Sequence, residues 1–183
     1  IAYRTWIVAF LIYSASLTDT EIGLNTVATL AAFFSLLGMP ASVFGANLGV
    51  TYGRRKIIST IMLTSFLIGS LLGFAGSMPF YFVLVIAALH SIFIMSDSAA
   101  LTAGVVSVST EDERGATLAV HSVMGFSGGF FGPLVVGLVL DLGGGQQSSF
   151  AWSLAFLATA SGSLIGLLIL QLLISKNNYS KMS

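Results

Sequence analysis

The sequence predicts an all-α membrane protein with six transmembrane helices, and three observations carry that expectation. First, the 183-residue chain is 56% hydrophobic and only 8% charged, with a mean hydropathy of +0.97. A soluble domain carries about 25% charged residues, so there is too little polar surface here to cover a water-soluble globule. Second, apolar runs near the length of about 20 residues that crosses the hydrocarbon recur six times between turn-forming or charged clusters. Third, the basic residues of the connecting segments all fall on one side.

Backbone amides in lipid must bond within their own segment, so each apolar run reads as a helix. The first spans about 1–16 and stops at "SLTDTE"; the second spans about 24–52. The third covers about 57–76, and "GSMP" turns the chain into the fourth, about 80–107. Thr110 and Glu113 have capping-box spacing, which places the start of the fifth helix, about 114–142, at this loop. "GGGQQSS" separates it from the sixth, about 150–174. The six-helix transmembrane domain thus covers 1–175, followed by a polar cytoplasmic tail over 176–183.

With the amino end taken as inside, the inner segments hold Arg54, Arg55, Lys56, Arg114, Lys176 and Lys181, and the outer segments hold no Lys or Arg. Basic residues resist translocation, so this asymmetry orients the chain with both ends cytoplasmic. The expected setting is a multi-pass protein of a plasma or inner membrane, with the lipid bilayer as its first partner. A formal net charge of zero gives no reason to expect nucleic acid. There are no cysteines, and no helix carries His and carboxylate at ligand spacing, so no metal or other cofactor is expected. The chain opens at Ile1 inside an apolar run, without a start methionine and without a small-residue cleavage site after it. That reads as a piece of a longer chain and not as a signal peptide.

Small residues four apart recur as Gly45/Gly49/Gly53, Gly69/Gly73, Gly128/Gly132 and Gly162/Gly166. Such spacing lets helix backbones approach closely in lipid. Pro40 and Pro133 lie inside the second and fifth helices, where each removes a backbone donor and favours a kink. Packing alone accounts for these features; helices that slide or bend during a transport cycle are the alternative.

"ANLGVTYGRRK" (46–56) resembles the cytoplasmic loop signature of the major facilitator superfamily of secondary transporters. Leu48, Gly53, Arg54 and Arg55 match that signature, while Val50 and Thr51 replace its acidic and basic pair. "EDERGATLAVHS" (111–122) is similar to the family's other cytoplasmic loop, where an arginine–glycine pair (here Arg114 and Gly115) opens a helix. "GGFFGPLVVG" (128–137) resembles its glycine–proline helix motif. The order of the three motifs suits one six-helix half of such a transporter, and the degenerate loop signature suits the carboxyl-terminal half. The resemblance implies symport or antiport of a small solute, with the other six-helix half as partner. Glu111, Asp112 and Glu113 lie on the same membrane side as Arg54 and Arg55, so these opposite charges are expected to meet between the loops as a cytoplasmic gate, with Gly53 and Arg114 part of it.

Ionisable groups at membrane depth are costly and become site candidates for that reason. Arg4 lies 13 residues before the polar outer loop, roughly 20 Å of helix, and so falls inside the hydrocarbon near its inner boundary. It either snorkels along its stem or faces a cavity and holds an anionic solute in a two-pronged contact. His90 and Asp97 are seven apart on the fourth helix and share a face. They either pass a proton beside the solute or serve as structural hydrogen-bonding groups. His121, on the fifth helix, reads as a packing histidine. "GFSGG" (125–129) resembles the serine segment of rhomboid intramembrane proteases, but no histidine follows His121 to activate Ser127. The expected function is therefore transport of a small organic anion with proton coupling, and not enzymatic catalysis; a non-transporting six-helix protein is the bland alternative.

Overall fold

A computed structural model describes the backbone of residues 1–180 and the side chains of residues 1–172. Six helices follow one another: α1 (Ala2–Leu17), α2 (Leu24–Tyr52), α3 (Arg54–Phe74), α4 (Phe80–Val108), α5 (Arg114–Leu142) and α6 (Ser149–Ser180). A 3₁₀ turn, Ala75–Ser77, ends α3. The helices from α2 to α6 are long and apolar enough to cross a membrane. With 16 residues, α1 is the short one, about 24 Å at 1.5 Å per residue against a hydrocarbon core of about 30 Å.

Three local expectations need correction. The basic triplet is not a loop: α2 ends at Tyr52, α3 begins at Arg54, and Gly53 alone joins them. Its φ of 90° and ψ of 118° lie in a region that only glycine enters at little cost, which is what makes a one-residue reversal feasible. The capping box does not form either. The Thr110 hydroxyl donates to Glu113 Oε2 at 3.4 Å, and Glu113 itself is the N-cap, without a side-chain cap bond. Finally, α6 continues to Ser180, through most of the segment expected to be a tail. Neither Gly nor Pro interrupts residues 175–180, and adding residues to an existing helix is far easier than nucleating one. The side chains of Lys176 and Lys181 lie outside the described residues.

The principal pairings are α2 on α4 and α3 on α6, with α3 also against α4 and α5 against α6. Glycine makes the first of these possible. A Cβ on Gly45 would stand 2.6 Å from the carbonyl oxygen of Ser96, so the α2 and α4 backbones are close there. Two α4 hydroxyls then bond into α2 on either side of Pro40: Ser91 donates to Phe34 O at 2.8 Å and Ser96 to Ala41 O at 2.9 Å. Gly69 and Gly73 similarly admit His90 of α4 and Phe156 of α6 against α3, while Gly132 admits Ala2 of α1 against α5. Gly166 of α6 likewise admits Met62 of α3, but other predicted small-residue positions differ. Gly49 meets only Arg54 from across the turn, and Gly128 and Gly162 face open space.

The main core gathers at the end of the bundle away from the basic residues. Phe10, Trp152 and Phe156 pack ring to ring, with centroids 5.3 Å apart for Phe10–Trp152 and 4.6 Å for Phe10–Phe156. Val27, Leu72, Val83, Val136 and Leu140 close around them from the other four helices. Trp152 has no exposed surface, and its indole N–H donates to Gln146 O at 2.7 Å. At the basic end the buried cluster is smaller, built on Ile58, Met62 and Ala100.

Gly53→Ala tests the one-residue reversal. A Cβ there meets nothing within 4 Å, so the entire penalty is conformational, about 1–3 kcal/mol. The expected outcome is a lower unfolding temperature in detergent. Gly115→Ala, on an open helical surface, should leave it unchanged or slightly raised.

Candidate functional site

A cavity of about 450 Å³ opens between α1, α4 and α5 toward the basic end. Its size falls in the ordinary range for small-molecule sites. Arg4 lines it, and two neighbours on α1 fix where Arg4 stands. The Tyr3 hydroxyl donates to Ala87 O of α4 at 2.7 Å, and the Trp6 indole N–H donates to Pro133 O of α5 at 3.0 Å. These bonds tie α1 to both flanking helices and leave the intervening Arg4 directed at the space between them.

The depth of Arg4 follows from its contact. Arg4 Nη2 donates to the thioether sulfur of Met95 at 2.8 Å, and Met95 lies near the middle of the Phe80–Val108 helix. Arg4 is thus closer to mid-depth than the residue count suggests, because α1 starts partway along the bundle. A guanidinium carries five N–H donors, and a thioether is a weak acceptor. Among the described residues, that sulfur is the side-chain partner that Arg4 has found.

His90 and Asp97 do not join Arg4 on this wall. His90 is 4% exposed, held edge-on to the Tyr3 ring at 5.1 Å and pressed against Gly69. Its Nδ1 is buried without a hydrogen-bond partner. Asp97 is half-buried, and its Oδ1 also lacks a partner. The residues through which α4 meets the cavity are Ser91, Ile94, Met95, Ser98 and Thr102. On a 3.6-residue period, 90 and 97 lie about a quarter-turn away from that stripe. The seven-residue spacing does put them on one helix face, but that face is turned into the bundle.

The cavity instead takes His121, which the sequence reading set aside as packing. Its Nε2 is 3.1 Å from Thr102 Oγ1, and both residues line the cavity with Arg4. Ser98, Ser122 and Phe126 complete the facing walls of α4 and α5. A sequence signal for His121 exists in retrospect: it is seven residues into α5 and Thr102 is six residues from the end of α4, so antiparallel neighbours bring them level.

The cytoplasmic gate is also arranged differently from expectation. Arg54 donates through Nη1 to Ala103 O at 3.0 Å and to the Ser107 hydroxyl, both in the last turns of α4. Glu113 accepts from Thr110, so neither member of the expected Arg54–Glu113 pair is turned to the other. The reason is proximity: the one-residue turn at Gly53 starts α3 beside the carbonyl end of α4, whose partial negative charge favours a cation. Arg55, Lys56 and Arg114 are exposed. A second cavity, about 610 Å³, is lined by Arg54, Ser42 and Ser107 and shares Met95, Ser98 and Thr102 with the first. Ser127 donates its hydroxyl to Val123 O within its own helix.

Against known proteins, the family model described as Major Facilitator Superfamily matches residues 1–181. No curated protein and no solved structure matches the chain. The family match runs through all six helices, including the loop signature and the glycine–proline helix seen in the sequence. The chain belongs to the Major Facilitator Superfamily, a family of secondary transporters.

Proposed function

We propose that this chain is the carboxyl-terminal six-helix half of a secondary transporter that carries a small organic anion, with Arg4 as the anion's anchor. The observation that carries this reading is an arginine at mid-depth, on a cavity wall, bonded to a sulfur. A charge at the centre of a bilayer costs at least about 2.5–3.5 kcal/mol, which a site recovers only through water, a counter-charge or a ligand. A thioether supplies no counter-charge. An incoming carboxylate supplies both charge and the paired oxygens that a guanidinium fork matches. Arg4→Lys keeps the charge and loses the fork. Solute affinity in the intact transporter should fall about tenfold, or about 1.4 kcal/mol, and should fall further in Arg4→Gln. Binding measured by calorimetry in detergent checks this, and equal affinity in all three proteins would refute the assignment.

Coupling to protons is assigned to Asp97. Its carboxyl oxygen is buried on a membrane-spanning helix without a hydrogen-bond partner, a setting in which gain and loss of a proton changes the balance of burial. His90, locked between Tyr3 and Gly69, keeps a packing role. Asp97→Asn removes the titration and preserves size. Proteoliposomes containing that variant should lose uptake driven by a proton gradient and retain solute exchange. Loss of both, with unchanged folding, would place Asp97 in the structure and not in coupling.

The chain is read as crossing the membrane six times, α1 being the sixth crossing and running outward from mid-depth, with the carboxyl end cytoplasmic. Residues 53–56 then lie inside, and 18–21 and 143–149 outside. The support is the placement of all loop Lys and Arg on one side. Single cysteines at positions 55 and 146 of this cysteine-free half should react with an impermeant maleimide from opposite sides, 146 from outside. The reverse pattern would invert the topology.

A further inference from the structure

The cavity that holds Arg4 has a second polar end. We infer that His121 is a second anchor for the same solute, and that the solute is an α,ω-dicarboxylate whose far carboxylate binds together with a proton taken up by His121. This rests on the reading of Arg4 as the first anchor.

Thr102 Oγ1 carries one hydrogen and stands 2.9 Å from Ser98 O and 3.1 Å from His121 Nε2. In the inferred arrangement the hydroxyl donates to Ser98 O and accepts from a hydrogen on His121 Nε2. In the neutral ring the other nitrogen, Nδ1, is then a bare acceptor. It is the nitrogen left to meet a ligand in the cavity. A carboxylate, itself only an acceptor, cannot bond to it in that state. It can once a proton from bulk water occupies Nδ1: one N–H bond forms, the ring becomes imidazolium, and the new cation faces the carboxylate. The bond broken is the proton's bond to its solvent or buffer donor, and two ligand charges are then matched by Arg4 and His121.

The spacing selects the ligand's length. Met95 marks the level of Arg4 on α4, and Thr102 marks the level of His121. Seven helical residues separate them, roughly 10 Å along the axis. A single carboxylate cannot reach both anchors, whereas two carboxylates on a short methylene chain can. Between those levels the wall is formed by Ser98, Ser122, Gly125 and Phe126, so the Phe126 ring offers an apolar face to the methylene groups beside two hydroxyls.

The ionisable groups around His121 are few. From α1, Tyr3 and Arg4 reach the cavity. On α4, His90 and Asp97 lie off the cavity wall, and α6 carries no ionisable side chain over 149–172. Arg54 borders the adjoining cavity that shares Thr102. Among the described residues, no carboxylate lines the cavity to pair with a protonated His121 before the ligand arrives.

The test is calorimetry on the intact transporter in two buffers of different ionisation enthalpy, with succinate, glutarate and adipate against butyrate and hexanoate. At least one dicarboxylate should bind about tenfold or more tightly than the monocarboxylates and should take up a proton from buffer on binding. His121→Gln should bring the dicarboxylate-to-monocarboxylate affinity ratio to about one and remove the extra proton that dicarboxylates take up relative to monocarboxylates. Thr102→Val, which releases Nε2 from its acceptor, should lower the ratio in the same direction. The inference is overturned if the unmodified protein binds the two classes alike, or if His121→Gln keeps both the ratio and that extra proton. In either case monocarboxylate binding that depends on Arg4 leaves the first anchor standing. Failure of every anion to bind would remove both readings.

Discussion

Trp152 is the fixed point of this bundle. It sits at the start of α6 with no exposed surface, and Phe10, Phe156 and Tyr13 stand against it within 6.1 Å or less, centroid to centroid. Large aromatic faces give much contact area with few rotatable bonds, so they lock relative helix positions more firmly than aliphatic chains do. In lipid the hydrophobic effect does not press helices together, and packing of this kind has to do that work. The consequence is a bundle closed at one end. At the basic end the smaller cluster of Ile58, Met62 and Ala100 holds α3 to α4 and α6, but α1, α4 and α5 diverge and leave a cavity.

Arg4 is tolerated because of that arrangement. The second half of α1 is anchored in the aromatic cluster, and Tyr3 and Trp6 bond to carbonyls of α4 and α5 on either side. A long cationic chain between two such fixed neighbours cannot withdraw into the core, and at mid-depth it is far from either water boundary. The cavity is the remaining place for it. The same logic separates Arg4 from His90. The histidine is on the opposite side of Tyr3 from the open space, wedged against a glycine whose missing side chain is filled by the imidazole.

Closeness of α2 and α4 carries the other half of the architecture. Gly45 lets Ser96 sit against the α2 backbone, and Ser91 and Ser96 then donate into α2 on both sides of Pro40. Pro40 leaves Leu36 O without its helical donor, and the two serine bonds, to Phe34 O and Ala41 O, tie α4 to α2 on either side of that break. Met95 lies between these two serines, fills the space above Gly38, and reaches Arg4 from the far side of α4. One stretch of α4, residues 91–102, therefore grips α2 with some residues and lines the cavity with others.

By itself the sequence determined the membrane class, the helical segments, the family and the one-sided placement of basic residues. These depend on composition, on run length and on short contiguous motifs, all of which are local along the chain. It also marked Arg4, because a charge in an apolar run is conspicuous without any partner being known. Which helix faces meet was decided only by the tertiary structure. Periodicity put His90 and Asp97 on one face correctly, but nothing local says whether a face looks toward a cavity or into a neighbouring helix. That choice followed from Gly69 of α3, which admits His90, and it left the cavity to His121 and Thr102. Charge pairing across loops was equally out of reach: a single glycine set Arg54 beside the end of α4, closer to carbonyl dipoles than to the carboxylates of the next loop.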